Sequence, residues 1–487
     1  MRQEATVIHL REKILSGHIV RTMFWLAWPV ILANFVEISY NLVDAFWLGK
    51  LGKESFGAPT VSWPLIMLFY SIGFGFSSAG VALISQYFGA GNYRMASKSA
   101  GHLITFMGSM SLTISIVGYA LAPYVLTLMG VPSDIYPLAV SYIRVIFVGI
   151  PITFMGFAFM VIANSLGDTR TPTVLSVTSS LTNMVLDPIL IFGWFGLPAL
   201  GVVGAAAATV ASRSILSVVG TYLLFRGYKG VKVSLHDLGL EGWWLRKVVS
   251  VGSPLAIQRS SNALGFTIMM SIVSRFGSTA VAAYGVGIRV IDILQAFTFG
   301  VNRATSIMVG QNIGAEFYDR AKRIARTSVT VLTLILAVGA AAIYLTRDWV
   351  IAVFINDPSV IAEGANLLSI FSLSIPFFGI FFIGGGIAMG SGHTKFFAAV
   401  SIIRLWALRI GLSMLLAVTL NLGTTGIWVA MTISNIGAGL LALAWILKAG
   451  WTKRIIEEAL EKPPTRAVPA VSPDSSGNSG KGGTREQ

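Results

Sequence analysis

Apolar stretches long enough to cross a lipid bilayer recur along almost the whole chain of 487 residues. A helix rises about 1.5 Å per residue, so about 20 apolar residues span the roughly 30 Å of a bilayer core. Twelve such stretches lie between residues 22 and 447. Lipid offers no partner to backbone N–H and C=O groups, and stretches of this length therefore favour helices. The sequence predicts an all-α polytopic membrane protein with twelve transmembrane helices.

The net charge of +14 is spread over helix ends and short loops and forms no single basic stripe. This distribution argues against a nucleic-acid partner and is typical of topology signals. If both termini are cytoplasmic, seventeen Lys and Arg residues before the tail fall in inner segments, against four in outer loops. The positive-inside rule therefore predicts cytoplasmic termini and a multi-pass protein of the plasma membrane.

Catalytic chemistry has little support in the sequence. The chain has no cysteine, which excludes disulfides, thiolate metal sites and thiol nucleophiles. Its five histidines form no paired metal ligands and no nucleophile arrangement. We predict that the protein is not an enzyme and uses no cofactor.

An internal repeat at an offset of 225 residues divides the chain into two halves. Five pairs of identical residues are separated by this offset: Gln86 and Gln311, Gly89 and Gly314, Pro29 and Pro254, Pro151 and Pro376, and Gly167 and Gly392. Each half holds six helices, an even number, so both halves enter and leave the membrane on the same side. The repeat predicts two six-helix bundles related by a pseudo-two-fold axis along the membrane normal.

The predicted organisation follows from this repeat. It comprises a cytoplasmic N-terminal segment (1–21), an N-lobe (22–228), a cytoplasmic linker between the lobes (229–247), a C-lobe (248–450) and a largely disordered cytoplasmic tail (451–487).

Few carboxylates fall inside the predicted helices, and most of them are in the N-lobe. Glu37 and Asp44 are seven residues apart, so they share a helix face with about 10 Å between them. Asn183 and Asp187 are four apart on another face, and Pro188 leaves a backbone carbonyl free there. Such oxygens suit a proton or a hard cation such as Na⁺, and the residues do not choose between these ions. The alternative is a structural role, in which these polar side chains form hydrogen bonds to neighbouring helices.

Charged residues inside the C-lobe have a less specific interpretation. Asp292 follows Arg289 by one turn, which favours a structural ion pair. Arginines in predicted spans either contact anionic groups or extend to the membrane interface, and we favour the interface for Arg259, Arg303, Arg404 and Arg409.

With these motifs the chain resembles the multidrug and toxic compound extrusion (MATE) family, and within it the prokaryotic branch similar to DNA-damage-inducible protein F. The resemblance covers about residues 15–455. It rests on residues 40–44, 86–90, 311–315, 167–170, 183–188 and 201–209. It implies two six-helix bundles, alternating access, and export of compounds driven by an inward Na⁺ or H⁺ gradient.

The resemblance also implies site residues. Members with this pattern place a cation site, for H⁺ or Na⁺, at positions matching Asp44, Asn183, Asp187 and Thr209. Tyr142 lies near these positions, and Pro29 matches a family proline assigned to a conformational hinge in the first helix. We assign Tyr142, together with Glu37 and Asn41 of the first helix, to substrate binding or the cavity. Glu37 and Arg259 depart from the expected pattern, since Glu37 stands where a neutral amide is expected.

The function predicted from the sequence is secondary active multidrug export by antiport of amphipathic or cationic compounds against H⁺ or Na⁺. The alternative is a flippase of the same superfamily for lipids or lipid-linked oligosaccharides, in which the C-lobe arginines would bind phosphate. The predicted partners are small substrates and membrane lipids, with the monomer as the functional unit.

Overall fold

A computed structural model describes residues 10–456, and the predicted tail beyond Ile456 and the first nine residues lie outside them. In this part of the chain, twelve long helices follow a short helix at residues 10–15. Their bounds are α1 Ile19–Lys50, α2 Lys53–Gly89, α3 Tyr93–Leu128, α4 Tyr136–Ser165, α5 Arg170–Phe192, α6 Val202–Arg226, α7 Gly242–Ser274, α8 Ser278–Gly314, α9 Tyr318–Phe354, α10 Pro358–Ser372 with Ile375–Ser391, α11 Thr394–Thr419 and α12 Gly423–Lys448.

Eleven of these helices have the length and hydropathy of membrane spans, if the two pieces of α10 count as one. The twelfth, α7, is 33 residues long and therefore about 50 Å in length. Its middle carries Gln258, Arg259 and Asn262, which lowers its hydropathy. All three line an internal cavity. The predicted twelve-helix, two-bundle architecture is consistent with these helices.

Two helices of the second half depart from a regular α-helix. The pieces of α10 meet at an angle of 55°, next to Pro376, which cannot donate a backbone hydrogen bond. Its repeat partner Pro151 lies inside the continuous α4. In α11, Arg404–Gly411 and Met414–Thr419 have π-helical hydrogen bonding. π-Helical stretches are rare in proteins, and those that occur often lie at functional sites.

The two lobes meet through their first two helices. In the N-lobe, α1 packs against α5 of its own lobe and α8 of the other, and α2 packs against α7 and α8. The closest approaches involve glycines: a side chain at Gly75 would collide with the backbone of Ala256, and one at Gly300 with α1 near Ile31. Glycine is therefore needed where helices of opposite lobes touch.

Polar contacts between the lobes lie at the face where α1 begins and α12 ends, here called the basic face. Gln86 Nε2 donates to the carbonyls of Gly390 and Ser391, at 3.2 Å each. Gln311 Nε2 donates to the carbonyl of Ser165 at 2.8 Å. Gln86 pairs with Gln311 in the repeat, and Ser165 with Gly390, so the two lobes exchange the same contact. We call this pair of contacts the glutamine latch.

Two glycines make the glutamine latch possible. A Cβ at Gly89 would collide with the backbone of Gln311, and a Cβ at Gly314 would collide with the backbone of Gln86. These glycines also pair in the repeat. The sequence motif that reveals the repeat therefore builds a pseudo-symmetric closure of the basic face.

Both ends of the described chain cover this closure. Arg11 donates to the carbonyl of Gly89 at 2.7 and 3.0 Å, and Arg320 of the C-lobe donates to the carbonyl of Gly17. At the other end, the backbone N–H of Ile455 donates to Gln86 Oε1 at 3.1 Å. The segments before α1 and after α12 are thus held against the basic face.

The segment between the lobes lies between the end of α6 at Arg226 and the start of α7 at Gly242. It is tied to the turn between α4 and α5. Tyr228 Oη donates to Asp168 Oδ2 at 2.5 Å, and Lys229 Nζ lies 2.6 Å from the same oxygen. Burial acts to raise the pKa of Asp168, but the hydrogen bonds from Lys229, Tyr228 and Thr171 outweigh it, so the pKa lies below its ordinary value.

Candidate functional site

Two carboxylates lie together in the half of the N-lobe farther from the basic face. Asp44 of α1 is half-buried and Asp187 of α5 is fully buried. They are close enough to repel each other when both are ionised. Both oxygens of Asp187 and Oδ1 of Asp44 are buried without a hydrogen-bond partner, and neither carboxylate forms a salt bridge within residues 10–456. The pair therefore lacks a compensating positive charge.

Neutral oxygen groups surround this pair. Asn183 Nδ2 lies 3.5 Å from Thr209 Oγ1, which leaves Asn183 Oδ1 buried without a donor. Tyr142 of α4 is buried beside both carboxylates. The structure brings together the four residues that the resemblance implied for the cation site, Asp44, Asn183, Asp187 and Thr209, and it adds Tyr142, which was assigned to substrate binding or the cavity. We call them the carboxylate cluster. Its oxygens are of the kind that bind a proton or Na⁺.

Other predicted residues lie apart from the carboxylate cluster. Glu37 lines the cavity between the lobes. Asn41 is exposed and is not part of the cavity wall, whose last lining residue on α1 is Tyr40. Pro29 is buried inside α1, which continues through it as one helix. Tyr142 belongs to the carboxylate cluster and not to the cavity wall.

Arg213 of α6 is a site residue that the sequence reasoning missed. It lines the cavity and interacts with Tyr40, Tyr70 and Glu37. Tyr40 also bonds Thr209 of the carboxylate cluster. A sequence signal was present, since Arg213 follows Thr209 by four residues on the same helix face of an apolar span. Through these residues, α1 and α6 connect the cavity to the carboxylate cluster.

A cavity of about 640 Å³ lies between the lobes. Its N-lobe wall combines polar side chains with a group of aromatic ones, Trp63, Tyr70, Phe74 and Phe157, and the rings of Phe74 and Phe157 stack at 4.2 Å. Asn183 lines the cavity as well as belonging to the carboxylate cluster. A volume of this size is typical of a site for an organic molecule.

The C-lobe wall carries three arginines: Arg259, Arg303 and Arg404. The preferred sequence interpretation, in which these residues extend to the membrane interface, is therefore wrong for all three. The reason is helix orientation: α7, α8 and α11 turn these faces towards the opposite lobe. Arg409 differs, because it donates to Ser434 Oγ at 3.1 Å and Asn435 Oδ1 at 2.7 Å.

The fold and this pair of sites define a two-lobed polytopic membrane transporter with a central cavity. A family model described as MatE matches residues 29–189 and again residues 254–415. The two matches begin 225 residues apart and confirm the repeat. The chain belongs to the MatE family, as the resemblance implied. Members of this family are transporters and not enzymes; the branch within the family stays a prediction.

Relatives with known names agree with this assignment. A probable multidrug resistance protein of Bacillus subtilis, YoeA, is 27% identical over 92% of this chain and 98% of the relative. A protein of Shewanella oneidensis named FAD transporter is 24% identical over 75% of this chain and 80% of its own length. A crystal structure of MATE in complex with MaL6 has a TM-score of 0.84 at 22% identity, over 90% of this chain and 98% of that chain. The named relatives support a multidrug efflux transporter with small-molecule substrates.

Proposed function

We propose that the protein is a cation-coupled antiporter that exports small amphipathic compounds while H⁺ or Na⁺ enters through the carboxylate cluster. The observation that carries this proposal is the pair Asp44 and Asp187, in which both oxygens of Asp187 and Oδ1 of Asp44 are buried without a partner among the described residues. Two ionised carboxylates in a poorly solvated site repel each other, and a bound cation removes that repulsion. The cluster is therefore suited to bind and release a cation during transport.

Coupling follows from the residues that the two sites share. Asn183 belongs to the carboxylate cluster and also lines the cavity, and Tyr40 contacts Thr209 on one side and Arg213 on the other. A change in cation occupancy of the carboxylate cluster therefore reaches the cavity wall through residues in direct contact with both sites. A ligand shifts a conformational equilibrium only by its differential affinity for the two states. In our proposal, cation binding favours the state that releases the compound.

Alternating access requires that the lobes separate at one face when they close at the other. The glutamine latch closes the basic face in this conformation. We propose that the basic face is cytoplasmic, as the distribution of Lys and Arg predicts. The described conformation is then open or ready to open towards the outside, and breaking the glutamine latch admits substrate from the cytoplasm.

The cargo that we propose first is an amphipathic organic compound, since relatives are named for multidrug resistance and for FAD. A lipid or lipid-linked oligosaccharide flippase is the second candidate. The observation that favours it is the position of Arg259 and Arg404 on the cavity wall, where they can contact phosphate. Flipping of a labelled lipid that persists in the Asp44→Asn variant would support the second candidate.

The test uses purified protein in liposomes loaded with a fluorescent amphiphile, with Na⁺ and pH gradients imposed separately. We expect wild-type efflux to follow one gradient, and Asp44→Asn and Asp187→Asn each to lower it about tenfold or more. The matched control is Asp292→Asn, because Asp292 lies outside the cavity wall and accepts a hydrogen bond from Gln295 at 2.8 Å. Gradient-driven efflux that survives both N-lobe substitutions would refute the proposed coupling site.

A further inference from the structure

The cavity wall is charged unevenly. Four arginines line it, Arg213, Arg259, Arg303 and Arg404, and Glu37 is the one acidic residue among the lining side chains. Glu37 lies on the N-lobe wall, within electrostatic range of Arg213. The C-lobe wall thus presents three arginines without a carboxylate. Since isolated charges are costly at membrane depth, such a cluster indicates a functional partner.

The three C-lobe arginines come from three helices and face one space. Arg259 of α7 and Arg303 of α8 are close enough to repel each other. Within the described part of the chain, neither forms an ion pair or a hydrogen bond through its side chain. Arg303 Nη1 and Arg404 Nε are buried without a partner. Arg409, which is not on the cavity wall, donates instead to Ser434 and Asn435.

Arg404 is held in one orientation, with part of its guanidinium unpaired. Its Nη1 donates to Asn435 Oδ1 at 3.0 Å, and Asn435 Nδ2 in turn donates to Ser374 Oγ at 3.1 Å. The π-helical stretch of α11 begins at Arg404. Asn435 therefore fixes the orientation of the guanidinium, whose Nε has no acceptor among the described residues, and this is the arrangement of an oriented donor and not of a mobile surface charge.

We propose that these three arginines form an anion-binding subsite, and that the transporter exports amphiphiles whose polar end is a phosphate, sulfonate or carboxylate. This inference rests on the proposed function of the cavity as the substrate site. Guanidinium groups match the planar, two-oxygen geometry of such anions. The stacked rings of Phe74 and Phe157 line the N-lobe wall of the same cavity, and the Arg259 guanidinium lies over the Phe74 ring, 5.3 Å from its centroid. An aromatic body therefore fits against the N-lobe wall while the anionic end contacts the C-lobe wall.

Export of an anion has an electrical consequence. An anion that leaves while a cation enters moves net positive charge inward in both steps. Exchange of one monovalent cation for another is electroneutral. An inside-negative membrane potential thus drives export of an anion directly, and it does not drive a one-for-one exchange of cations.

The experiment compares two dyes that share a xanthene ring system and differ in charge, fluorescein as the anion and rhodamine 123 as the cation. Binding to purified protein is measured by fluorescence anisotropy. We expect wild-type protein to prefer fluorescein, and Arg259→Gln, Arg303→Gln and Arg404→Gln each to weaken fluorescein binding about ten- to hundredfold. The same substitutions should strengthen rhodamine 123 binding. Arg275→Gln, at the end of α7 outside the cavity wall, is the control on the same helix.

Folding does not limit the Arg259→Gln measurement, because Arg259 is exposed on the cavity wall and its replacement leaves no buried group unpaired. The Arg259→Glu variant should reverse the preference between the dyes. Fluorescein binding that is unchanged by all three Arg→Gln substitutions, or a wild-type preference for rhodamine 123, would overturn the anion subsite.

Transport separates this inference from the proposed function. In liposomes, a valinomycin-clamped inside-negative potential should accelerate fluorescein efflux and leave rhodamine 123 efflux unaffected. If dye binding depends on the arginines but Asp44→Asn does not impair efflux, the subsite stands and the coupling site fails. If efflux depends on Asp44 but dye binding is unchanged by the arginine substitutions, the coupling site stands and the anion subsite fails.

A parallel arm identifies the source of the anion. Liposomes containing a fluorescent phosphatidic acid report whether labelled lipid changes leaflets in an arginine-dependent manner. Lipid movement without fluorescein efflux assigns the subsite to a lipid headgroup. Fluorescein efflux without lipid movement assigns it to free anionic amphiphiles. Neither activity, together with arginine-independent binding, refutes the proposal.

Discussion

Gly314→Ala should open the basic face. A Cβ at this position would collide with the backbone of Gln86 on the opposite lobe, and backbone cannot move aside as a flexible side chain can. Gln86 also holds the closure through its two hydrogen bonds to Gly390 and Ser391. An added methyl group in a close-packed contact costs about 1–3 kcal/mol. The closed state should therefore lose about five- to 150-fold in population relative to the open state.

The chain itself provides the assay, because it contains no cysteine. Ser85 is fully buried at the interface, where it faces Gly310 of the opposite lobe. The Ser85→Cys variant should react slowly with a maleimide while the basic face is closed. Adding Gly314→Ala should raise the labelling rate by the population factor, up to the rate of the open state.

Gly285→Ala is the matched control, since it lies on the same helix and a Cβ there meets no atom within 4 Å. Both substitutions favour α8 itself by about 0.5–1 kcal/mol through the lower flexibility of alanine, so this effect cancels in the comparison. Labelling of the Gly314→Ala variant at the Gly285→Ala rate, with an unchanged melting temperature, would refute the role of the glutamine latch.

Three further predictions follow from the sites and the linker. Asp168→Asn should lower the melting temperature. The pKa of the Asp168 carboxyl is lower in the folded protein than in the unfolded chain, so the ionised carboxyl stabilises the fold above the unfolded-state pKa, and this stabilisation is lost as the pH falls through the folded-state pKa. A melting temperature of the wild type that falls no more steeply in acid than that of the variant would contradict this. Asn183→Ala removes an oxygen of the carboxylate cluster and should raise the cation concentration needed for half-maximal efflux about tenfold. An equal half-maximal concentration in wild type and variant would exclude Asn183 from the site. Pro29→Ala should slow efflux if α1 bends there, and undiminished efflux would exclude the hinge.

The sequence determined the class of structure. Runs of apolar residues require helices in lipid whatever their neighbours are, so the polytopic architecture followed from composition and length. The repeat followed from local motifs, because equivalent turns need the same residues. Gly167 and Gly392 both adopt positive φ, 86° and 81°, at the turns that the repeat aligned. Buried acids were also recognisable from sequence, since an ionisable residue in an apolar span is unusual at any position.

Only the tertiary structure decided which helix faces meet. Periodicity places residues on a face of one helix, but it does not say whether that face turns towards lipid, towards the same lobe or towards the other lobe. Arg259, Arg303 and Arg404 are up to 145 residues apart in the chain and converge because α7, α8 and α11 are oriented towards one cavity. The glutamine latch has the same origin, since each glutamine finds its acceptor on the opposite lobe. Membrane insertion is a property of single segments, and the cavity and the closure are products of their packing.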